Sequence, residues 1–219
     1  MKREPYFTLE TIREKSHAML GQLAPLRSRH ANMVFDIARS ALLVLDMQEY
    51  FLNADSHAFI PSAPAIIPNL QTLITNFQSA DRPIIFTRHI NTDADAGMMS
   101  RWWRDVIHAD LPDSAISPAL DSSVGIVIEK PQYDAFYKTT LDEILRGRGV
   151  DLIVITGVHT HLCCETTARS AFVRGFEVFF CIDGTATYTE EVHRASLANL
   201  SHGFAIPVLS EEIVESRFR

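Results

Sequence analysis

A cysteine, a carboxylate and a lysine carry the chemical interest of this sequence. Cys163 follows an apolar run over 151–155 and the turn Thr156-Gly157-Val158-His159-Thr160-His161, and it opens a helix-like segment. A helix start offers unpaired backbone N–H groups and a partial positive charge. Both favour a thiolate and lower a cysteine's pKa, and the same N–H groups can hold a developing oxyanion. Taken alone, the stretch fits an ordinary buried cysteine equally well. Asp46 and Lys130 shift the balance, because each closes another apolar run. A carboxylate at the end of a buried strand is costly unless it is paired. On one sheet edge the three suit nucleophilic catalysis. The carboxylate takes the thiol proton, the ammonium steadies both anions, and the thiolate attacks a carbonyl carbon.

The elements must bring these groups together. Apolar runs over 41–45, 83–87, 124–128, 152–155, 177–182 and 204–209 read as strands, and continuous runs of this kind mark burial on both faces. Pro207 makes the last one an edge strand. Ile66, Leu70, Leu73, Ile74 and Phe77 mark an amphipathic helix. Leu141, Ile144 and Leu145 mark a short one closed by Gly147 or Gly149, and 190–200 reads as another. Six alternations predict an α/β protein, a three-layer α/β/α sandwich around a parallel sheet. Ligands of such sheets bind at the carboxyl ends of strands, where strand order reverses.

Residues 1–40 read as an N-terminal helical arm and 41–219 as the main domain. In the arm, Thr11-Ile12-Arg13-Glu14 fits a capping box. Leu9, Ile12, Met19, Leu20 and Leu23 recur at roughly helical spacing, and Pro25 ends the pattern. The arm packs either on its own domain or, slightly favoured, on a second subunit. Segment 91–121 carries Trp102 and Trp103 and reads as a binding loop or lid, or as a helix with its aromatic side on the core.

The formal charge is 20 − 27 = −7, without a long basic run, which argues against a nucleic-acid partner. No apolar run approaches the roughly 20 residues that span a bilayer, and no secretory signal is visible after Met1-Lys2-Arg3. Three cysteines, two of them adjacent, do not make a disulfide framework. A reducing cytoplasm is the expected compartment.

Three stretches are similar to the isochorismatase-like cysteine hydrolases: Leu43-Val44-Leu45-Asp46-Met47-Gln48-Glu49-Tyr50-Phe51, Glu129-Lys130-Pro131-Gln132-Tyr133-Asp134-Ala135-Phe136, and Thr156-Gly157-Val158 through Arg169. The resemblance spans about residues 40–213. It implies a six-stranded parallel sheet of order 3-2-1-4-5-6, with Asp46 as general base, Lys130 as supporting cation and Cys163 as nucleophile. It also implies a cis Val158–His159 peptide and an oxyanion hole from the His159 and Cys163 N–H groups. Homodimers or tetramers are common in the family, so a homo-oligomer is expected.

Helical spacing separates the cysteines. Cys164, Ala168, Ala171 and Phe172 share an apolar face, whereas Cys163, Thr166, Thr167, Ser170 and Arg174 share a polar one. Cys164 therefore reads as core, as does Cys181 inside its strand. Phe51, His89, Trp103, Tyr133, Phe136 and His161 are the candidates for substrate contact, with Tyr50, Tyr137 and His159 as further candidate walls; plain packing is the alternative for each. Nicotinamidases of the family hold a metal through an Asp-x-His pair after the second strand. Here that place reads His89-Ile90-Asn91, and Asp55-Ser56-His57 lies in a different loop. The reading is therefore no metal, no cofactor, and a substrate other than nicotinamide. The leading expectation is hydrolysis of a small amide or ureide C–N bond through a thioester. A vinyl-ether hydrolase with Asp46 as general acid is the alternative, and a non-catalytic interaction module ranks last.

Overall fold

The computed structural model describes residues 2–216. Six parallel strands, β1 (Ser40–Leu45), β2 (Ile84–His89), β3 (Ile126–Lys130), β4 (Leu152–Val158), β5 (Glu177–Ala186) and β6 (Ile206–Val208), form one sheet. Their order is β3-β2-β1-β4-β5-β6, so it reverses between β1 and β4. Every residue of β1 and β4 is buried, which accounts for their unbroken apolar sequence. Among the described residues, β3 pairs only with β2, and it is partly exposed. It starts two residues later than its apolar run, because 122–124 forms a helical turn.

Among the described residues there are eight helices, in chain order α1 (Ile12–Arg27), α2 (Glu49–Leu52), α3 (Ala63–Ser79), α4 (Met99–Trp102), α5 (Leu141–Gly147), α6 (Glu165–Val173), α7 (Glu190–Gly203) and α8 (Ser210–Ser216). Among the described residues, none is long and apolar enough to cross a membrane. α3 packs on the central strands and on α8, while α6 and α7 pack on the sheet and on each other. α1 contacts β5, β6 and α7, and Arg27 pairs with Glu212 of α8 at 2.8 Å. It thereby covers the β6 edge, which would otherwise offer unpaired backbone groups.

The N-terminal segment differs from its sequence pattern in two ways. Pro25 lies inside α1, near its end, where the missing N–H costs one intrahelical bond. Thr11 makes no capping bond; its hydroxyl instead accepts from the Thr8 N–H at 3.1 Å, so the capping box does not form. Tyr6, Phe7, Ile12, Met19 and Leu23 are buried in the same hydrophobic cluster as the sheet.

Gly157 fixes the close approach of β4 to β1. Its φ is +102°, and a Cβ there would lie 2.1 Å from the Leu45 carbonyl oxygen. No other residue type fits a site so crowded at that φ. Leu45 is the residue directly before Asp46, so this contact helps to set where the β1 carboxylate emerges.

Candidate active site

The strand ends bring Asp46, Lys130 and Cys163 together. Asp46, just past β1 with φ +50°, is fully buried. Thr87 of β2 donates its hydroxyl to Asp46 Oδ1 at 2.6 Å and accepts the Asp46 N–H at 3.1 Å. Lys130 closes β3, and its Nζ lies 2.7 Å from Asp46 Oδ2. The same Nζ donates to the Gln132 carbonyl at 2.8 Å and lies 3.4 Å from Cys163 Sγ and from His89 Nδ1. Burial pushes the Asp46 carboxyl up, but Lys130 and the hydrogen bonds around it outweigh burial and hold it below the usual range. Burial pulls the Lys130 ammonium down, yet Asp46 and Cys163 raise it on balance. At neutral pH the pair is therefore ionised.

Cys163 sits in a widened helical turn, Thr160–Cys164, ahead of α6. The Cys164 N–H reaches back five residues to the His159 carbonyl at 3.1 Å. The thiol departs from the expectation for a helix start. Burial and the Asp46 carboxylate push its pKa well above the ordinary value, and Lys130 only partly offsets them. The resting group is thus a thiol with a carboxylate beside it, rather than a standing thiolate. Cys164 is fully buried with Ala168 and Ala171 and directs its S–H toward the Thr156 carbonyl. Phe172 does not join that face; it is half exposed, against Phe204. Eight residues of helix rotate it about 80° away from position 164. Cys181 is buried in β5, beside Asp183.

A cavity of about 420 Å³ opens over Cys163. Of the residues singled out from sequence, Phe51, His89, Trp103, Tyr133, Tyr50 and His159 line it. Trp103 donates its indole N–H to the Tyr133 hydroxyl at 2.6 Å, which ties segment 91–121 to the loop after β3. Phe136, Tyr137 and His161 lie outside it. Phe136 stacks on Phe176 in the core, Tyr137 is half exposed, and His161 pairs with the Thr187 hydroxyl at 2.7 Å. The Val158–His159 peptide is cis. Burial, foremost, lowers His159 to about 3 and His89 to about 4, so both are neutral near pH 7. With Lys130 donating to its Nδ1, His89 carries its proton on Nε2 and donates to Asn91 Oδ1 at 2.9 Å.

The isochorismatase domain model matches residues 40–212, most of the chain. The chain belongs to the isochorismatase family. A relative named Nicotinamidase 3, from Arabidopsis thaliana, is 42% identical over 182 residues, which cover 81% of this chain and 88% of that protein. The ureidoacrylate amidohydrolase RutB of Yersinia enterocolitica is 29% identical over 207 residues, covering 82% and 89%. A cysteine hydrolase from Pseudomonas syringae superposes with a TM-score of 0.79 at 27% identity, covering 83% and 93%. The chain is an isochorismatase-family hydrolase.

The metal of the family's nicotinamidases has no matching donor set at this place. Asn91 donates to the Pro131 carbonyl at 2.9 Å, and its oxygen is taken by His89. Among the described residues, Asp46, His89 and Cys163 are the one cluster of three ligating side chains, with ligand atoms within 4.8 Å of one another. Lys130 Nζ lies within 3.4 Å of each of them. A divalent cation there would meet the ammonium, so these residues do not fit one.

Several residues of the site carry no local sequence signal. Thr87 orients the carboxylate. Gln48 accepts the His89 N–H at 2.6 Å and donates to the Ser114 carbonyl at 2.8 Å, which clamps β1's end to β2's. Arg3, His57, Asp105 and Tyr188 reach the cavity from four separate segments. Only the fold brings them near Cys163.

Proposed function

We propose that this hydrolase cleaves the C–N bond of a small amide or ureide through a thioester on Cys163. The observation that carries the reading is the single ammonium, Lys130 Nζ, in contact with both Asp46 and Cys163 beneath the cavity. The relatives named for nicotinamide and ureidoacrylate hydrolysis support the same bond class.

In the first step Asp46 takes the S–H proton as sulfur attacks the carbonyl carbon. Proton transfer ahead of attack is uphill, because the thiol is raised and the carboxylate lowered. The two events are therefore coupled, and substrate must be present before the thiolate forms. The backbone N–H groups of His159 and Cys163 receive the oxyanion. Asp46 returns the proton to the leaving nitrogen as the C–N bond breaks. A water, deprotonated by Asp46, then opens the thioester, and the sulfur regains its proton. Lys130 keeps Asp46 ionised at the start and end of each half-reaction. The substrate is a small molecule and no cofactor is required. Half-exposed Trp103 and well-exposed Trp102 support a homo-oligomer, which light scattering tests; a monomer mass would exclude it.

The test is a panel of nicotinamide, aliphatic amides, ureides and isochorismate, scored by ammonia release or substrate loss. The 42% identity to Nicotinamidase 3 puts nicotinamide on that panel despite the missing metal motif. Wild type should release ammonia and form an acyl adduct visible by intact mass, and Cys163→Ala should do neither. Turnover retained in Cys163→Ala but lost in Asp46→Asn would favour vinyl-ether cleavage instead.

A further inference from the structure

The N-terminal segment supplies one wall of the cavity. Arg3 lines it, with its guanidinium carbon 4.8 Å from the centroid of the Tyr188 ring. Tyr188 in turn meets His159 at 4.8 Å between ring centroids. This is not a loose tail laid over the opening. The Glu4 N–H donates to the Tyr188 carbonyl at 2.9 Å, and Glu4 Oε1 accepts the Glu190 N–H at 3.0 Å. Two residues on, the Tyr6 hydroxyl accepts the Thr187 N–H at 3.0 Å, and the Phe7 N–H donates to Ser62 at 3.1 Å. Residue 3 is therefore held in place next to the residues that flank Cys163.

The charges around the cavity do not cancel. Asp105 Oδ2 lies 3.5 Å from Arg104 Nε and 3.4 Å from His57 Nε2, so that acid is already matched. Below the cavity floor, Asp46 is matched by Lys130. Glu4 pairs with Lys2 at 2.9 Å. Among the described residues, Arg3 has no ion pair. One positive charge is left over, at the rim of a largely aromatic cavity in a chain of net charge −7. A guanidinium stacked on an aromatic face keeps its N–H edge available, and that edge fits a carboxylate in bidentate geometry.

We propose that the substrate carries an anionic group, a carboxylate, at the end remote from the scissile amide, and that Arg3 binds it. The substrate class is then small amide or ureido acids. The N-terminal segment becomes the specificity element of a site whose reacting groups come from the strand ends and from the turn before α6. The proposal rests on the amide-hydrolase reading given above.

The experiment compares amide and ureido acids, with two to five atoms between the scissile carbonyl and the carboxylate, against their uncharged methyl esters. Wild type should prefer at least one acid over its ester by tenfold or more in kcat/KM, with the preference shrinking in added salt. Arg3→Gln should bring that ratio close to one, mainly through KM for the acid, and Arg3→Lys should restore part of it. The ratio is taken within one variant, so a loss of folded protein cancels. Calorimetry of the same acids with Cys163→Ala reads recognition without turnover. The proposal is overturned if wild type prefers the esters or nicotinamide, if the acid preference survives Arg3→Gln, or if no acid binds Cys163→Ala. Those results leave amide hydrolysis standing, whereas full turnover by Cys163→Ala would remove the amidase reading itself.

Discussion

Replacing Lys130 with methionine removes the charge while keeping most of the side-chain volume. At 2.7 Å, the attraction to Asp46 is worth about 6 kcal/mol at an effective dielectric constant of about 20. Desolvating two ions costs several kcal/mol each, so the intact pair comes close to breaking even. The single substitution is different: it forfeits the attraction and leaves Asp46 desolvated without a counter-ion. The expected loss is about 3–5 kcal/mol, which leaves a protein of ordinary stability folded but marginal. Asp46 relieves part of the cost by taking up a proton. In wild type its folded pKa is lowered, so its contribution to stability is present above the unfolded value and is lost as pH falls through the folded one. In Lys130→Met burial prevails and the folded pKa rises. The sign then reverses: stability is gained as pH falls from neutral toward the unfolded carboxylate value of about 4. Denaturant unfolding at pH 7.5 and pH 5.5 reads both effects. The double variant Asp46→Asn/Lys130→Met removes the orphaned charge and should recover at least half of the lost stability, while remaining inactive. A single variant that costs less than about 1 kcal/mol, or a double variant less stable than the single, would refute the reasoning.

Four further outcomes are expected. Asp46→Asn should abolish turnover yet speed iodoacetamide alkylation of Cys163, because the carboxylate raises the thiol pKa while Lys130 lowers it; unchanged or slower alkylation would contradict this. Wild-type alkylation should be slow at neutral pH and accelerate toward alkaline pH, so sluggish labelling is compatible with an active enzyme. Gly157→Ala, which drives a methyl group to 2.1 Å from the Leu45 carbonyl oxygen, should destabilise by about 3 kcal/mol or more, read as a fall in Tm; a shift of only a degree or two would place the close approach in doubt. Thr87→Val removes a bond to an ionised oxygen, worth about 1.5–3 kcal/mol, and should lower both the unfolding free energy and kcat while leaving KM nearly unchanged.

The parts of the molecule legible in sequence are those where burial is complete. β1 and β4 show as unbroken apolar runs because both of their faces are covered, and Asp46 stands out as the polar break directly after β1. β3 is legible only approximately, since an edge strand half open to solvent does not need continuous apolarity; its start is displaced past Gly125. Phe136 and His161 are sequence neighbours of reactive residues, yet their side chains are drawn into the Phe176 stack and the Thr187 bond. Proximity along the chain carried no information about direction there. The thiol's acidity also escaped a local reading. The helix start argues for a thiolate, and only the depth of burial and the placement of Asp46 reverse the sign. Arg3 and Tyr188 are 185 positions apart in the chain, so no spacing rule could join them in one wall.

Lys130 is the last residue of a strand with one neighbour. Edge strands open most readily, and such excursions are visible as amide hydrogen exchange. Here opening cannot proceed freely from the carboxyl end, because lifting Lys130 away strands the Asp46 carboxylate in an apolar environment. The 126 end has no such anchor, and Val127 is already half exposed. Exchange along β3 should therefore be graded, fast at the amino end and slow at Lys130. The Asp46–Lys130 ion pair then acts as the rivet of this border of the sheet, and protection of one amide reports whether the candidate active site is assembled.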